Sequence, residues 1–116
     1  GADDPNAATF DAIARVLEQE TDADGRALEV IRVPGVGRYV DPAGDVSPAS
    51  HMNFLIANGV VVVPVYGTPT QEAALAVLAE VFADRRVIGI PSRGLLGSGE
   101  AGGGSFHCIT QQEPRI

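Results

Sequence analysis

The segment HMNFLIANGVVVVPVY, residues 51–66, limits the possible folds of this chain more than any other feature. Two apolar runs meet there at Asn58-Gly59, a dipeptide that suits a tight β-hairpin because both positions tolerate positive φ. We therefore predict two adjacent antiparallel strands. The next residues, QEAALAVLAEVF, carry apolar side chains at helical spacing, and RRVIGIP is a short run typical of a strand. Residues 51–91 are thus predicted to form one ββαβ module.

A similar helix and strand are predicted nearer the start of the chain. Residues 5–20 have helical periodicity, and ALEVIRVP after them reads as a short strand that ends at residue 34. Val-Leu pairs at 16–17 and 77–78 are 61 residues apart, and Val-Ile pairs at 30–31 and 87–88 are 57 residues apart, which indicates a repeat. The predicted core face of the first helix is formed by Phe10, Ile13, Ala14 and Leu17.

We interpret residues 1–34 as the helix and strand that close one module of just under sixty residues. Residues 35–50 are rich in glycine and proline and are predicted to be a long loop. Residues 92–116 are predicted to be a glycine-rich loop, a strand over SFHCITQ, residues 105–111, and a tail. The fold class is therefore α/β, and the chain is expected to hold about two modules of a larger protein.

Charge and composition exclude several classes of partner. The net charge is −7, and the eight Lys and Arg residues form no basic run, which argues against nucleic acid or an anionic membrane and favours a cationic small molecule. The longest apolar stretch is interrupted by Asn58, Gly59 and Pro64 and is too short to span a bilayer. With one cysteine there is no internal disulfide, and the histidines have no metal-ligand spacing. We expect a cytoplasmic protein without metal or cofactor.

Cys108 follows three glycines, Gly102, Gly103 and Gly104, which permit close approach of a backbone and a ligand. A lone cysteine in an apolar strand is nevertheless more often inert than nucleophilic. On a strand, His107 and Cys108 would point to opposite faces, so His107 is predicted to be a poor general base. His51 is interpreted as a half-buried core residue rather than a partner of the thiol.

The segments MNFLIANGVVVVPVYG, QEAALAVLAEVF, RRVIGIP and above all GGGSFHCITQQEP resemble the C-terminal part of the agmatine deiminase family, relatives of the bacterial peptidylarginine deiminases. This resemblance implies a pentein fold, an α/β propeller of five ββαβ modules around a central site. It also implies that Cys108 is the nucleophile that converts agmatine to N-carbamoylputrescine and ammonia, with Gly102, Gly103 and Gly104 as a substrate loop. The family's catalytic histidine and guanidinium-binding carboxylates lie in upstream segments that have no match in this sequence.

Two residues depart from the family pattern. Ser105 stands where the family usually has Asn, and His51 stands where an aromatic residue is common. Two alternatives remain open: a deiminase of another guanidine such as peptidyl-arginine, and a non-catalytic module that acts alone or with a second chain. A homo-oligomer is also possible. We expect these 116 residues alone to be inactive, because they lack the missing N-terminal part of the same fold.

Overall fold

A computed structural model describes residues 4–96 and 103–114. The chain divides into two compact units, Gly1–Arg32 and Val33–Ile116. The first unit contains helix α1, Ala7–Leu17. The second contains strands β1, Leu55–Ala57, β2, Val60–Val65, and β3, Arg86–Pro91, helix α2, Gln71–Val81, and a short 3-10 helix, Arg93–Leu95.

The apolar face predicted for α1 is mostly exposed. Ala14 is buried, but Phe10 is 54% exposed and Ile13 is 49% exposed. The described part of this unit consists of one helix and one tight turn, so the unit itself has no second layer of secondary structure to cover that face. Helical periodicity therefore predicted the helix correctly but not the burial of its apolar side.

The strand predicted over residues 27–34 is wrong. Ala27 makes an isolated bridge to Thr21, and the residues after it have no strand pairing in the described chain. A strand exists only where a neighbour completes its ladder of hydrogen bonds, and a β-branched sequence cannot supply that neighbour. The end of the segment is instead tied to α1 by an exposed ion pair between Arg32 and Asp11.

The sheet of the second unit agrees with the prediction for residues 51–91. The strand order is β1-β2-β3, with β1 antiparallel and β3 parallel to β2. Ala57 pairs with Val60, so Asn58-Gly59 is the two-residue loop of the hairpin. Gly59 adopts a φ of 77°, whereas Asn58 keeps a negative φ. Only one of the two loop residues therefore has the positive φ that the Asn-Gly dipeptide tolerates at both positions.

Helix α2 packs against this sheet through alternate residues of β2. Val61 and Val63 have no solvent exposure and form a core cluster with Leu78 of α2. Phe54 and Phe82 meet edge to face beside the cluster, with ring centroids 5.4 Å apart. The β-branched run of β2 thus forms the centre of the core, as its position between two strands requires.

The strand predicted over residues 105–111 is also wrong, because residues 106–109 form a turn. The amide of Ile109 donates to the carbonyl of Ser105 at 3.2 Å, and that of Thr110 donates to His107 at 3.3 Å. The Thr110 hydroxyl also donates to the Phe106 carbonyl at 2.7 Å. These local hydrogen bonds satisfy backbone groups that a strand would need a neighbour to satisfy, so they override the β propensity of the sequence.

Two tight turns share one arrangement that was not predicted from the sequence. In TDADGRA and VDPAGDV, Asp22 and Asp41 each accept hydrogen bonds from two backbone amides later in the turn. Isolated bridges close both turns, and the fifth residue of each quoted segment, Gly25 or Gly44, has positive φ. The second turn gives structure to the middle of the predicted loop over 35–50.

The two helices described are eleven residues each, and neither is long and apolar enough to cross a membrane.

Leu78→Ala should lower the free energy of unfolding by about 2–5 kcal/mol, because it opens a cavity against Val61 and Val63. Urea unfolding followed by circular dichroism measures the change. Val81→Ala on the same helix is the matched control, because Val81 is 44% exposed, and its effect should be much smaller. Equal effects of the two substitutions would contradict the core assignment.

Candidate active site

Cys108 lies exposed in the turn at residues 106–109, at the end of the glycine segment. Gly103 and Gly104 adopt φ values of 135° and 120°, which side chains disfavour. The amide of Gly103 donates to the Leu96 carbonyl at 2.7 Å. Of the three predicted loop glycines, Gly102 lies outside the described residues.

Gly104 lies so close to the Cys108 side chain that a larger residue there would crowd the thiol. A Cβ added there would lie 3.2 Å from Cβ and 3.5 Å from Sγ of Cys108. The bare backbone of Gly104 therefore forms one side of the sulfur's surroundings. The close approach observed here brings the chain itself against the cysteine, and the role of these glycines as a substrate loop stays a prediction.

Asn53, two residues before β1, contacts the turn from the other side. Its Oδ1 accepts from the backbone amides of His107 at 3.0 Å and Cys108 at 3.3 Å. Its Nδ2 lies 3.1 Å from Cys108 Sγ and donates to it. One side chain thus contacts both the backbone and the sulfur of the candidate nucleophile.

These contacts change the acidity of the thiol. The Asn53 amide is the main group that holds the pKa of Cys108 below its usual value, and the backbone of Ser105 acts in the same direction. Burial opposes both, since it disfavours the charged form. Because the thiolate is the nucleophilic form of cysteine, a lowered pKa makes Cys108 more reactive near neutral pH.

His107 was predicted to point away from the sulfur because of strand alternation, and that reason is wrong because residues 106–109 form a turn. Its backbone amide contacts Asn53, and the residue is exposed. Within the described residues, the side-chain partner of Cys108 Sγ is the Asn53 amide rather than the His107 ring. That His107 is a poor general base for Cys108 stays a prediction.

His51 is a core residue, as interpreted, but it is buried almost completely rather than half. It is 2% exposed, and its Nδ1 donates to the Pro64 carbonyl at 2.8 Å. Its ring packs against Tyr66, with centroids 5.8 Å apart. The Nδ1 atom therefore carries the proton, and Nε2 has no hydrogen-bond partner among the described residues.

Ser105, the departure from the family pattern next to the turn, has a specific partner. Its hydroxyl hydrogen-bonds to that of Ser92, and both side chains are buried. Ser92 directly follows β3, and its amide donates to the Val65 carbonyl at 3.0 Å. The pair therefore fixes the start of the cysteine turn to the end of the sheet.

A separate groove of about 500 Å³ lies where Tyr39 and Asp41 face Arg93. Its lining does not include Cys108. The Arg93 guanidinium donates to the Tyr66 carbonyl, from Nε at 2.8 Å, so part of its hydrogen-bonding capacity is already used. Within residues 4–96 and 103–114, no three histidine, cysteine or acidic side chains are grouped closely enough to hold a metal ion. The candidate nucleophile of the described chain therefore lies in the cysteine turn and outside this groove.

Asn53 was not among the site residues predicted from the sequence. It lies 55 residues from Cys108, and no spacing rule connects the two. The available signal was a polar side chain within HMNFLIAN, a run predicted to be a strand, and that segment also carried the family resemblance.

Comparison with known proteins gives the family. Residues 1–114 match the model of the Porphyromonas-type peptidyl-arginine deiminases. The chain belongs to this family. The resemblance drawn from GGGSFHCITQQEP is therefore confirmed.

Two curated relatives are agmatine deiminases. The enzyme of Ectopseudomonas mendocina is 41% identical over 96% of this chain, and that of Stutzerimonas stutzeri is 38% identical over 97%. The aligned region is 34% of each relative, so the chain spans about a third of the length of the curated relatives it matches.

Solved structures show the same relationship for the fold. A protein of Porphyromonas gingivalis, solved as a candidate arginine deiminase, is 36% identical with a TM-score of 0.83, over 97% of this chain and 32% of that one. The agmatine deiminase of Enterococcus faecalis is 33% identical with a TM-score of 0.70, over 94% of this chain and 33% of its own. The mixed α/β structure described here is thus shared with deiminases.

Gly104→Ala should slow alkylation of Cys108 by iodoacetamide, because the new methyl group would press on Cβ and Sγ and disfavour the local φ. Mass spectrometry of the intact protein measures the rate. Gly94→Ala is the matched control, since a Cβ at Gly94 meets nothing within 4 Å. Unchanged alkylation in Gly104→Ala would contradict the close approach.

Proposed function

We propose that this chain is the nucleophile-bearing part of a guanidine deiminase that hydrolyses agmatine to N-carbamoylputrescine and ammonia. The observation that carries the proposal is an exposed thiol of lowered pKa, in the turn of the GGGSFHCITQQEP motif of a deiminase family. The named activity of the relatives supports agmatine as the substrate.

The proposed reaction has two steps. The Cys108 thiolate forms a C–S bond to the guanidinium carbon. The terminal nitrogen then takes up a proton, its C–N bond breaks, and it leaves as ammonia. Water then attacks the same carbon, the C–S bond breaks, and the ureido product and the thiolate are released. Agmatine and water thus give N-carbamoylputrescine and ammonia, with no change of oxidation state.

This chemistry needs groups besides the thiolate. A delocalised cation is a poor electrophile, so carboxylates must hold the planar guanidinium and an acid must protonate the departing nitrogen. Cys108 is exposed, and its described contacts are uncharged. We propose that these groups come from the rest of a pentein propeller, of which this chain contributes about two modules. The share of its relatives that it spans is consistent with that proposal.

Peptidyl-arginine is the second candidate substrate, because the family model is described by that activity. The two substrates share the guanidinium group and differ in what is attached to it. Ammonia release from agmatine and from an arginine-containing peptide, assayed side by side, distinguishes them.

Cys108→Ser in the full protein that carries this chain should reduce ammonia release from agmatine to background, because a hydroxyl is far less ionised than a thiol near neutral pH. A coupled ammonia assay measures turnover, and circular dichroism establishes that the variant is folded. Cys108 does not belong to the core cluster, so we expect little loss of stability. Substantial turnover by the folded serine variant would refute the proposed nucleophile.

A further inference from the structure

The chemistry of hydrogen bonding fixes the orientation of the Asn53 side-chain amide. Two backbone N–H groups, those of His107 and Cys108, face one end of it, and a backbone N–H can only donate. The atom at that end must therefore be the oxygen. If the amide were turned over, its NH₂ group would face two donors and both contacts would be lost.

With the oxygen so placed, the NH₂ group points at Cys108 Sγ, 3.1 Å away. This group only donates, so the sulfur is the acceptor of the bond. A thiolate accepts such a bond more strongly than a neutral thiol does, because it carries a full negative charge. The Asn53 side chain therefore favours the nucleophilic form of the cysteine while its other end holds the turn.

Among the described residues, the backbone of Ser105 and that of Gly104 also lie beside the sulfur. The groups that shift the thiol's acidity are all uncharged. His107 is the titratable residue next to it in the chain, and it contacts Asn53 through its backbone. The ionisation of Cys108 in the described chain thus depends on hydrogen bonding rather than on an ion pair.

We propose that Asn53 is a positioning residue for Cys108, which holds the cysteine turn through its side-chain oxygen and supplies the hydrogen-bond donor of the sulfur through its nitrogen. The catalytic consequence rests on the proposed function, whereas the arrangement of the thiol does not. In the proposed reaction, Asn53 acts through the nucleophile and does not contact the substrate.

Asn53→Asp separates the two roles. A carboxylate keeps an acceptor for the two backbone amides, so the turn should remain. It loses the donor to the sulfur and sets a negative charge beside it, which disfavours the thiolate. The measurement is the rate of alkylation of Cys108 by iodoacetamide between pH 6 and pH 10, followed by the mass of the intact protein.

The wild-type rate should rise with pH as the thiol ionises, and the profile of Asn53→Asp should be displaced to higher pH. At pH 7 we expect its alkylation to be about three- to tenfold slower, since a hydrogen bond to a charged group is lost. The midpoint of the profile is the decisive measurement. A thiolate of higher pKa is intrinsically more nucleophilic, and this partly offsets the loss of rate caused by its smaller population.

Asn58→Asp is the matched control. Asn58 is exposed in the hairpin loop, where Asp-Gly is tolerated as well as Asn-Gly, so it adds the same charge away from the sulfur. Its profile should coincide with that of the wild type. Asn53→Ala removes both roles and should displace the profile in the same direction as Asn53→Asp.

The proposal is overturned if Asn53→Asp has the wild-type profile, or if Asn58→Asp is displaced as far. If neither Asn53 variant keeps the wild-type thermal transition, the residue is structural only and the proposal also fails. Turnover of agmatine by the full protein is measured separately, where Asn53→Asp should lower kcat more than it changes KM. A wild-type protein that releases no ammonia would refute the proposed function and leave the alkylation result standing.

Discussion

The pairing of β2 with both of its neighbours determines where the cysteine can lie. Because β1 is antiparallel to β2 and β3 is parallel to it, the start of β1 and the end of β3 both lie toward the end of the sheet where β2 ends. Asn53 precedes β1 and Ser92 follows β3, so both lie at that end of the sheet. Their contacts with Cys108 and Ser105 fix the cysteine turn there. The position of the thiol is thus a consequence of strand direction, since a β3 of opposite direction would place Ser92 at the other end of the sheet.

The sequence was sufficient for the parts of the fold whose causes are local. The Asn58-Gly59 loop and the spacing of apolar residues in α2 predict the hairpin and the helix directly. The strands predicted over residues 27–34 and 105–111 are wrong for one shared reason. Their β-branched content expresses a preference for extended structure, but a strand also needs a neighbour, and the described chain provides none for either segment. Where no neighbour exists, the Cys108 segment forms its hydrogen bonds locally.

The cysteine and the glycines of the candidate site could be identified from the sequence, whereas the side chains that contact the cysteine turn could not. The glycines and the cysteine are adjacent in sequence, so a motif reveals them together. Asn53 joins them through the fold, over 55 residues, and its function depends on which end of an amide faces which atom. The Ser92–Ser105 contact could not be predicted from the sequence either. Serine is a common residue, and the pair can be recognised only in the structure, where both side chains are buried and hydrogen-bond to each other.

The groups that hydrogen-bond to Cys108 indicate what this part of the protein contributes to the proposed reaction. A neutral amide donor lowers the pKa of a thiol without adding a positive charge beside it. A guanidinium substrate is a cation, and a histidinium or ammonium group placed against the sulfur to activate it would repel that substrate. Activation by Asn53 and by backbone groups avoids this repulsion and leaves the exposed side of the sulfur open to a cation. Such an arrangement activates the thiol less than an ion pair would, but it is compatible with the charge of the proposed substrate.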